Sequence, residues 1–167
     1  MRTRIVLVGA VAVVAAVGVV GQAIRTTPAL HACAILTPEV FRSALAWDAQ
    51  PGRPDVPERT GGPKATLCNI RSRDDGERRN VNAFGVSKGG RDFFEQMRTA
   101  GARAKTEFAG DDYVAFVLEL NPAHPEDGES LFILSHGQYV NANLTGFPAG
   151  SARRLAPAIE VQLEGLR

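Results

Sequence analysis

Residues 113–145 read YVAFVLELNPAHPEDGESLFILSHGQYVNANLT. Three runs rich in β-branched and aromatic side chains alternate here with turn-forming residues. Over Tyr113–Leu120, the side chains of Val114, Phe116, Leu118 and Leu120 fall on one side, the period-2 signature of a strand packed on one face. Asn121–Gly128 is turn chemistry, Ser130–His136 reads as the returning strand, and Gly137-Gln138 is a tight link to a third strand over Tyr139–Thr145. Strands joined by connections this short pair antiparallel.

Upstream, Ala65–Arg71 and Asn80–Ser87 read as a hairpin closed by a charged turn with Asp75-Gly76 in it, and Cys68 and Ile70 share one face of the first strand. Lys105–Phe108 reads as a short strand or a loop, and Pro51–Pro63, with prolines at 51, 54, 57 and 63, as a loop. Thr37-Pro38-Glu39 starts a helix to about Ala46: the threonine caps, the proline takes the first helical position and the acid sits in the positive first turn. A second helix is expected over Asp92–Ala100, with Phe93, Phe94 and Met97 inward and Gly101 ending it. Leu155, Ile159, Leu163 and Leu166 form a third helical stripe. A proline inside a helix costs about 3 kcal/mol, so this helix is expected to start near Pro157 or to kink there. The expected architecture is α+β: an antiparallel sheet of about five strands with three helices in the order α–ββ–α–βββ–α. It occupies residues 33–167 as a single domain, follows a tether over 25–32, and is preceded by one apolar N-terminal helix within 1–24.

That leading segment carries the localisation. Ile5–Gly21 has no polar side chain and Gln22 alone interrupts the run before Ile24; as a helix it spans about 30 Å, one hydrocarbon core. Arg2 and Arg4 precede it, and basic flanks stay cytoplasmic. The expectation is membrane attachment through residues 5–24, single-pass, with the domain outside. Gly21-Gln22-Ala23 offers a signal-peptidase site, so secretion after cleavage near Ala23 is the alternative; the length of the run, beyond the about 7–15 residues of a signal-peptide core, favours retention. Gly9, Gly18 and Gly21 would let partner helices pack closely. After residue 25 the chain holds 16 basic and 18 acidic side chains out of totals of 19 and 18, with no basic stripe, which argues against nucleic acid as a partner.

Cys33 and Cys68 are the only cysteines. An oxidising compartment favours a bridge between them; buried free thiols, or two ligands of a metal site, are the alternatives. The three histidines, His31, His124 and His136, show no ligand spacing around either cysteine.

The stretch Ala32-Cys33-Ala34-Ile35-Leu36-Thr37-Pro38-Glu39-Val40 resembles the opening of the actinobacterial domain-of-unknown-function 3558 family of small exported proteins, mostly lipoproteins. In that family a second cysteine follows in the first strand, as Cys68 does within Leu67-Cys68-Asn69-Ile70, and Ala109-Gly110-Asp111-Asp112-Tyr113-Val114 is similar to a family strand start. The resemblance implies a cell-envelope protein of high-GC Gram-positive bacteria and carries no catalytic residues. Most members of that family have a separate lipidated cysteine upstream; this chain lacks it, and the apolar segment stands in its place.

No constellation in the chain reads as catalytic, metal-binding or cofactor-binding. Ser-x-x-Lys is absent, and Ser87-Lys88-Gly89-Gly90-Arg91, before a helix, lacks phosphate-loop spacing and reads as a turn. His124, Glu126, Asp127 and Glu129 bunch in one segment that Pro122 and Pro125 explain as a turn. Asp111 and Asp112, adjacent at a strand start, point apart. One pattern suggests binding: Asn80 and Asn82 project to one side of their strand, and Asn141 and Asn143 do so on another. On neighbouring strands these four would form an amide patch for sugar or peptide groups; otherwise they are an ordinary wet sheet face. The expected function is a non-enzymatic envelope domain that binds a protein, a peptidoglycan fragment or a glycolipid, or serves as accessory to a membrane complex. The alternative is a small hydrolase-like enzyme with a site built from dispersed His, Asp and Glu residues, such as His136 with the acidic segment.

Overall fold

Alternation in the strand-forming runs produces a single seven-stranded antiparallel sheet in the order β1-β2-β3-β7-β6-β5-β4. The computed structural model describes residues 30–55, 66–74, 76–86, 89–100 and 105–166. The expected apolar helix at 5–24 and most of the tether lie outside these residues. Among the described residues no helix is long and apolar enough to cross a membrane. The strands are β1 (Arg53–Asp55), β2 (Thr66–Arg71), β3 (Asn80–Val86), β4 (Thr106–Ala109), β5 (Tyr113–Glu119), β6 (Gly128–Ser135) and β7 (Gln138–Thr145). The helices are α1 (Ala32–Ile35), α2 (Pro38–Leu45), α3 (Gly90–Thr99) and α4 (Ser151–Glu164).

Among the described residues, the expectation of about five strands and three helices is therefore corrected to seven strands and four α-helices. Both extra strands are the sheet's edges. β1 lies inside the proline-rich stretch read as a loop, pairing Arg53 with Asn69 and Pro54 with Cys68; Pro54 has no N–H to offer, which an edge strand tolerates and a central one does not. β4, the segment left open between strand and loop, pairs Thr106 with Val117 and Ala109 with Val114. Cys68 consequently lies in the second strand.

Register divides the side chains between two faces. Cys68, Ile70, Val81, Ala83, Leu131, Ile133, Val140, Ala142 and Leu144 belong to the main core, which α1, α2 and α4 cover with Ile35, Phe41, Leu155, Ile159 and Leu163. Trp47, 1% exposed, meets Phe41 and Phe147 edge-on at 5.1 and 4.9 Å and donates its indole N–H to Glu77 Oε2 at 3.0 Å. Leu30, in the expected tether, is buried against this core. Among the described residues, the opposite face is covered only over one end. There Phe94 of α3 closes a smaller core of Val86, Phe116, Phe132, Leu134 and Tyr139.

Glycine matters at two close approaches. A Cβ on Gly90 would lie 2.5 Å from the carbonyl oxygen of Gly137, so the start of α3 rests directly on the β6–β7 turn. A Cβ on Gly52 would lie 2.4 Å from Cys68 Sγ, the sulfur of a disulfide to Cys33. That bridge joins α1 to β2 with a Cα–Cα separation of 5.2 Å and closes the alternatives of free thiols and of a two-cysteine metal site.

α4 starts at Ser151, well before Pro157, which sits exposed inside the helix. Its N-terminus is held from across the fold: Glu129, at the start of β6 and 8% exposed, accepts the N–H of Gly150 at 2.7 Å and that of Ala152 at 2.9 Å. Glu129 therefore separates from the acidic turn with which the sequence groups it.

Candidate functional site

On the face that α3 leaves open, the register aligns polar residues across four adjacent strands. Asn69 opposes Asn82, Asn82 opposes Asn143, and Asn143 opposes Ser130. Directly paired residues in an antiparallel sheet project to the same face, so these form one row. Arg53 extends it on β1 and Arg71 with Asn80 forms the next row toward the β2–β3 turn.

The amides are linked to one another. Arg71 Nε donates to Asn69 Oδ1 at 3.2 Å, Asn69 donates to Asn82 Oδ1, and Asn82 Nδ2 donates to Asn80 Oδ1 at 3.2 Å. Across β7 and β6, Ser130 donates to Asn143 Oδ1 and Asn141 Nδ2 donates to Ser130 Oγ at 3.1 Å. Of the four asparagines that the sequence singles out, Asn80, Asn82 and Asn143 reach solvent on one face of the neighbouring strands β3 and β7. Asn141, 3% exposed, is a structural residue of that face, donating also to the carbonyl of Leu131 at 3.0 Å. It lies between Phe84 and Phe132 in the register, where the wet half of the face meets the half covered by α3. Asn69 completes the row and was legible: with Cys68 and Ile70 inward, alternation sends it outward.

The row borders a groove of about 940 Å³ whose lining includes Arg53, Asn69, Arg71 and Asn80 from the strands and Arg78 and Arg79 from the β2–β3 turn. Its charged lining is four arginines against the carboxylates of Asp74 and Glu77. Glu77 is engaged by Trp47, Ser72 and, at 3.0 Å, Arg79. Among the described residues Arg53, Arg71 and Arg78 make no salt bridge. The groove is thus a local concentration of positive charge on a domain whose total is slightly acidic, and its walls are polar.

The other sequence candidates separate. In the acidic turn His124 Nδ1 lies 3.1 Å from Glu126 Oε1 and the half-buried Asn121 donates to Asp127 Oδ2 at 2.9 Å, with His124, Glu126 and Asp127 exposed around a 3-10 turn at Pro125–Asp127. Ser87 and Lys88 lie outside the described residues. Gly85-Val86-Ser87-Lys88-Gly89 has the Gly-x-Ser-x-Gly spacing of a nucleophile elbow, which corrects the expectation that the chain holds none. However, β3 is antiparallel to both neighbours, unlike an α/β-hydrolase nucleophile strand, and Leu30 packs 2.8 Å from where a Gly85 Cβ would stand.

His136 is the candidate the fold changes most. It occupies the β6–β7 turn with φ of 51°, followed by Gly137 at 77°, and Ser135 pairs with Gln138 around them. Asp112, at the start of β5, and Glu160, on α4, bring carboxylate oxygens to it, so that the three ligand-type atoms lie within 4.8 Å of one another. Burial, followed by repulsion from Glu164, Asp112 and Asp111, raises the pKa of Glu160 above the ordinary carboxylate value. Tyr113 beside it is raised as well, by burial first and then by Glu160. Neither the arginine groove nor a second cavity, of about 520 Å³ beside Thr145 and Gly146, is lined by this trio.

Comparison with protein-family models, with curated proteins and with solved structures gave no match.

Proposed function

We propose that this domain is a non-enzymatic binding module of the cell envelope whose ligand lies along the open sheet face. The ligand in this reading is a hydroxyl- and amide-rich saccharide that carries a carboxylate or phosphate. The observation that supports it best is the row Asn69–Asn82–Asn143–Ser130 beside a groove with three arginines free of carboxylate partners among the described residues. Asparagine amides both donate and accept, which suits hydroxyl and N-acetyl groups. Arginine matches carboxylate and phosphate with two parallel donors. The envelope placement draws support from the apolar leader, from the resemblance of residues 32–40 to the exported 3558 family, and from the Cys33–Cys68 bridge, which is compatible with an oxidising compartment. Membrane attachment through residues 5–24 belongs to the same proposal.

Peptidoglycan fragments and anionic glycolipid head groups share this chemistry. The test is a titration of the full chain in detergent micelles against soluble muropeptides, against micelles doped with an anionic glycolipid, and against neutral dextran. Binding to one of the acidic ligands and not to dextran is expected, weakening as salt rises. Asn82→Ala combined with Arg71→Ala should lower that affinity by about tenfold or more. Failure of both acidic ligands to bind, or binding that the double variant leaves unchanged, overturns the reading.

The hydrolase-like alternative has one observation in its favour, the meeting of His136 with Asp112 and Glu160. It lacks a substrate cavity in contact with those groups among the two described above.

A further inference from the structure

The loop before β5, the β6–β7 turn and α4 are distant in sequence, yet each sends one potential ligand to the same point: Asp112, His136 and Glu160. We propose that these three residues form a divalent transition-metal site, for zinc or a cation of similar preference, that ties α4 to one end of the sheet. One imidazole nitrogen with two carboxylate oxygens is a donor set that zinc accepts, at metal–ligand distances of about 2.0–2.2 Å. Ligands arranged tetrahedrally at that distance stand about 3.4 Å apart. The three atoms already lie within 4.8 Å of one another.

The backbone holds the approach in place. Asp112 and His136 flank the first pair of the β5–β6 ladder, Tyr113 with Ser135, and Ser135 Oγ donates to the carbonyl oxygen of Asp112 at 3.0 Å. Glu160 stands on the turn of α4 next to Ile159, which is fully buried in the main core. The partly exposed carboxylates leave room for water to complete the coordination, as a three-residue zinc site requires. The presence of an imidazole distinguishes this cluster from Asp111, Glu164 and the other surface acids around it, which suit hard cations only. This inference is independent of the ligand groove, which lies on the other face of the sheet.

The experiment is calorimetric titration of the full chain with zinc chloride, beside three single variants of the trio. His136→Asn keeps a residue at ease with positive φ, and Asp112→Asn and Glu160→Gln preserve shape on accessible positions. One zinc per chain is expected for the unaltered protein, with affinity lowered about tenfold or more in each variant. His124→Ala, which removes the only other described histidine paired with a carboxylate, should leave binding unchanged. Circular dichroism spectra matching the unaltered chain establish that the variants fold, and Glu160→Gln, on the helix surface, serves if His136→Asn does not. Absence of zinc binding, retention of full affinity in the folded variants, or its loss in His124→Ala overturns the proposal.

Discussion

Glu129 shows how one residue can set the position of a helix that it does not belong to. Its two oxygens hold the first backbone N–H groups of α4 from the start of β6. Those groups have no partner within the helix, and the helix dipole adds to the attraction for a carboxylate. Glu129→Gln turns one of those oxygens into an amide donor that faces an N–H. The expected cost is about 2 kcal/mol, measurable as a lower urea midpoint with an unchanged slope. An unaltered midpoint would mean that α4 is positioned by its apolar face alone. The asparagines carry the opposite lesson. Alternation places Asn80 and Asn82 on one side of a strand, but burial, which decides that Asn141 is structural and Asn143 accessible, depends on where α3 lies.

At the scale of elements, the departures from expectation come from residues that weaken a rule without breaking it. Pro54 permits β1 because that strand is an edge. Pro157 is carried inside α4 because its ring faces solvent and because Leu155, Ile159 and Leu163 anchor the helix on both sides of it. The missing N–H leaves the carbonyl of Arg153 without its helical partner, so Pro157→Ala should restore one hydrogen bond and relieve the ring's clash. A gain of up to about 3 kcal/mol is expected, since the exposed ring contributes little packing. Thermal unfolding monitored at 222 nm would show it as a higher melting temperature; a lower one would mean that the proline sets the direction of the helix. α3 differs again, as the one helix on its face of the sheet among the described residues. Its aromatic contacts with Phe84, Phe116 and Tyr139 cover one end of the strands and leave the amide row exposed at the other.

For the molecule as a whole, the disulfide links the first helix to the second strand across a separation of 35 residues. Closing a loop of that size restricts the unfolded chain, which corresponds to about 3–4 kcal/mol of stability. Cys33→Ala with Cys68→Ala should lose that amount in chemical denaturation, and reduction of the unaltered chain should reproduce the loss. A double variant as stable as the parent would place the bridge's role elsewhere, for example in protecting the thiols. The same whole-molecule arrangement separates the two candidate sites. One face of the sheet is covered by α1, α2 and α4, and Asp112, His136 and Glu160 meet at the margin of that face. The other face is only partly covered by the described residues and carries the arginine-lined groove.

Local chemistry was enough to specify the central hairpins, the capped α2 and the inward Leu155, Ile159 and Leu163 of α4, because alternation, turn residues and caps act over a few neighbouring positions; Leu166, expected in the same stripe, falls beyond the helix and is exposed. Cysteine count and the apolar leader likewise suggested the bridge. The edge strand β1 escaped, and β4 stayed open between strand and loop, because a short edge is stabilised by the partner it finds and hardly at all by its own composition. The full polar row, the grouping of four arginines in one groove and the meeting of Asp112, His136 and Glu160 depend on strand order and helix placement. Those are set by long-range packing, which brings together residues that no spacing along the chain connects.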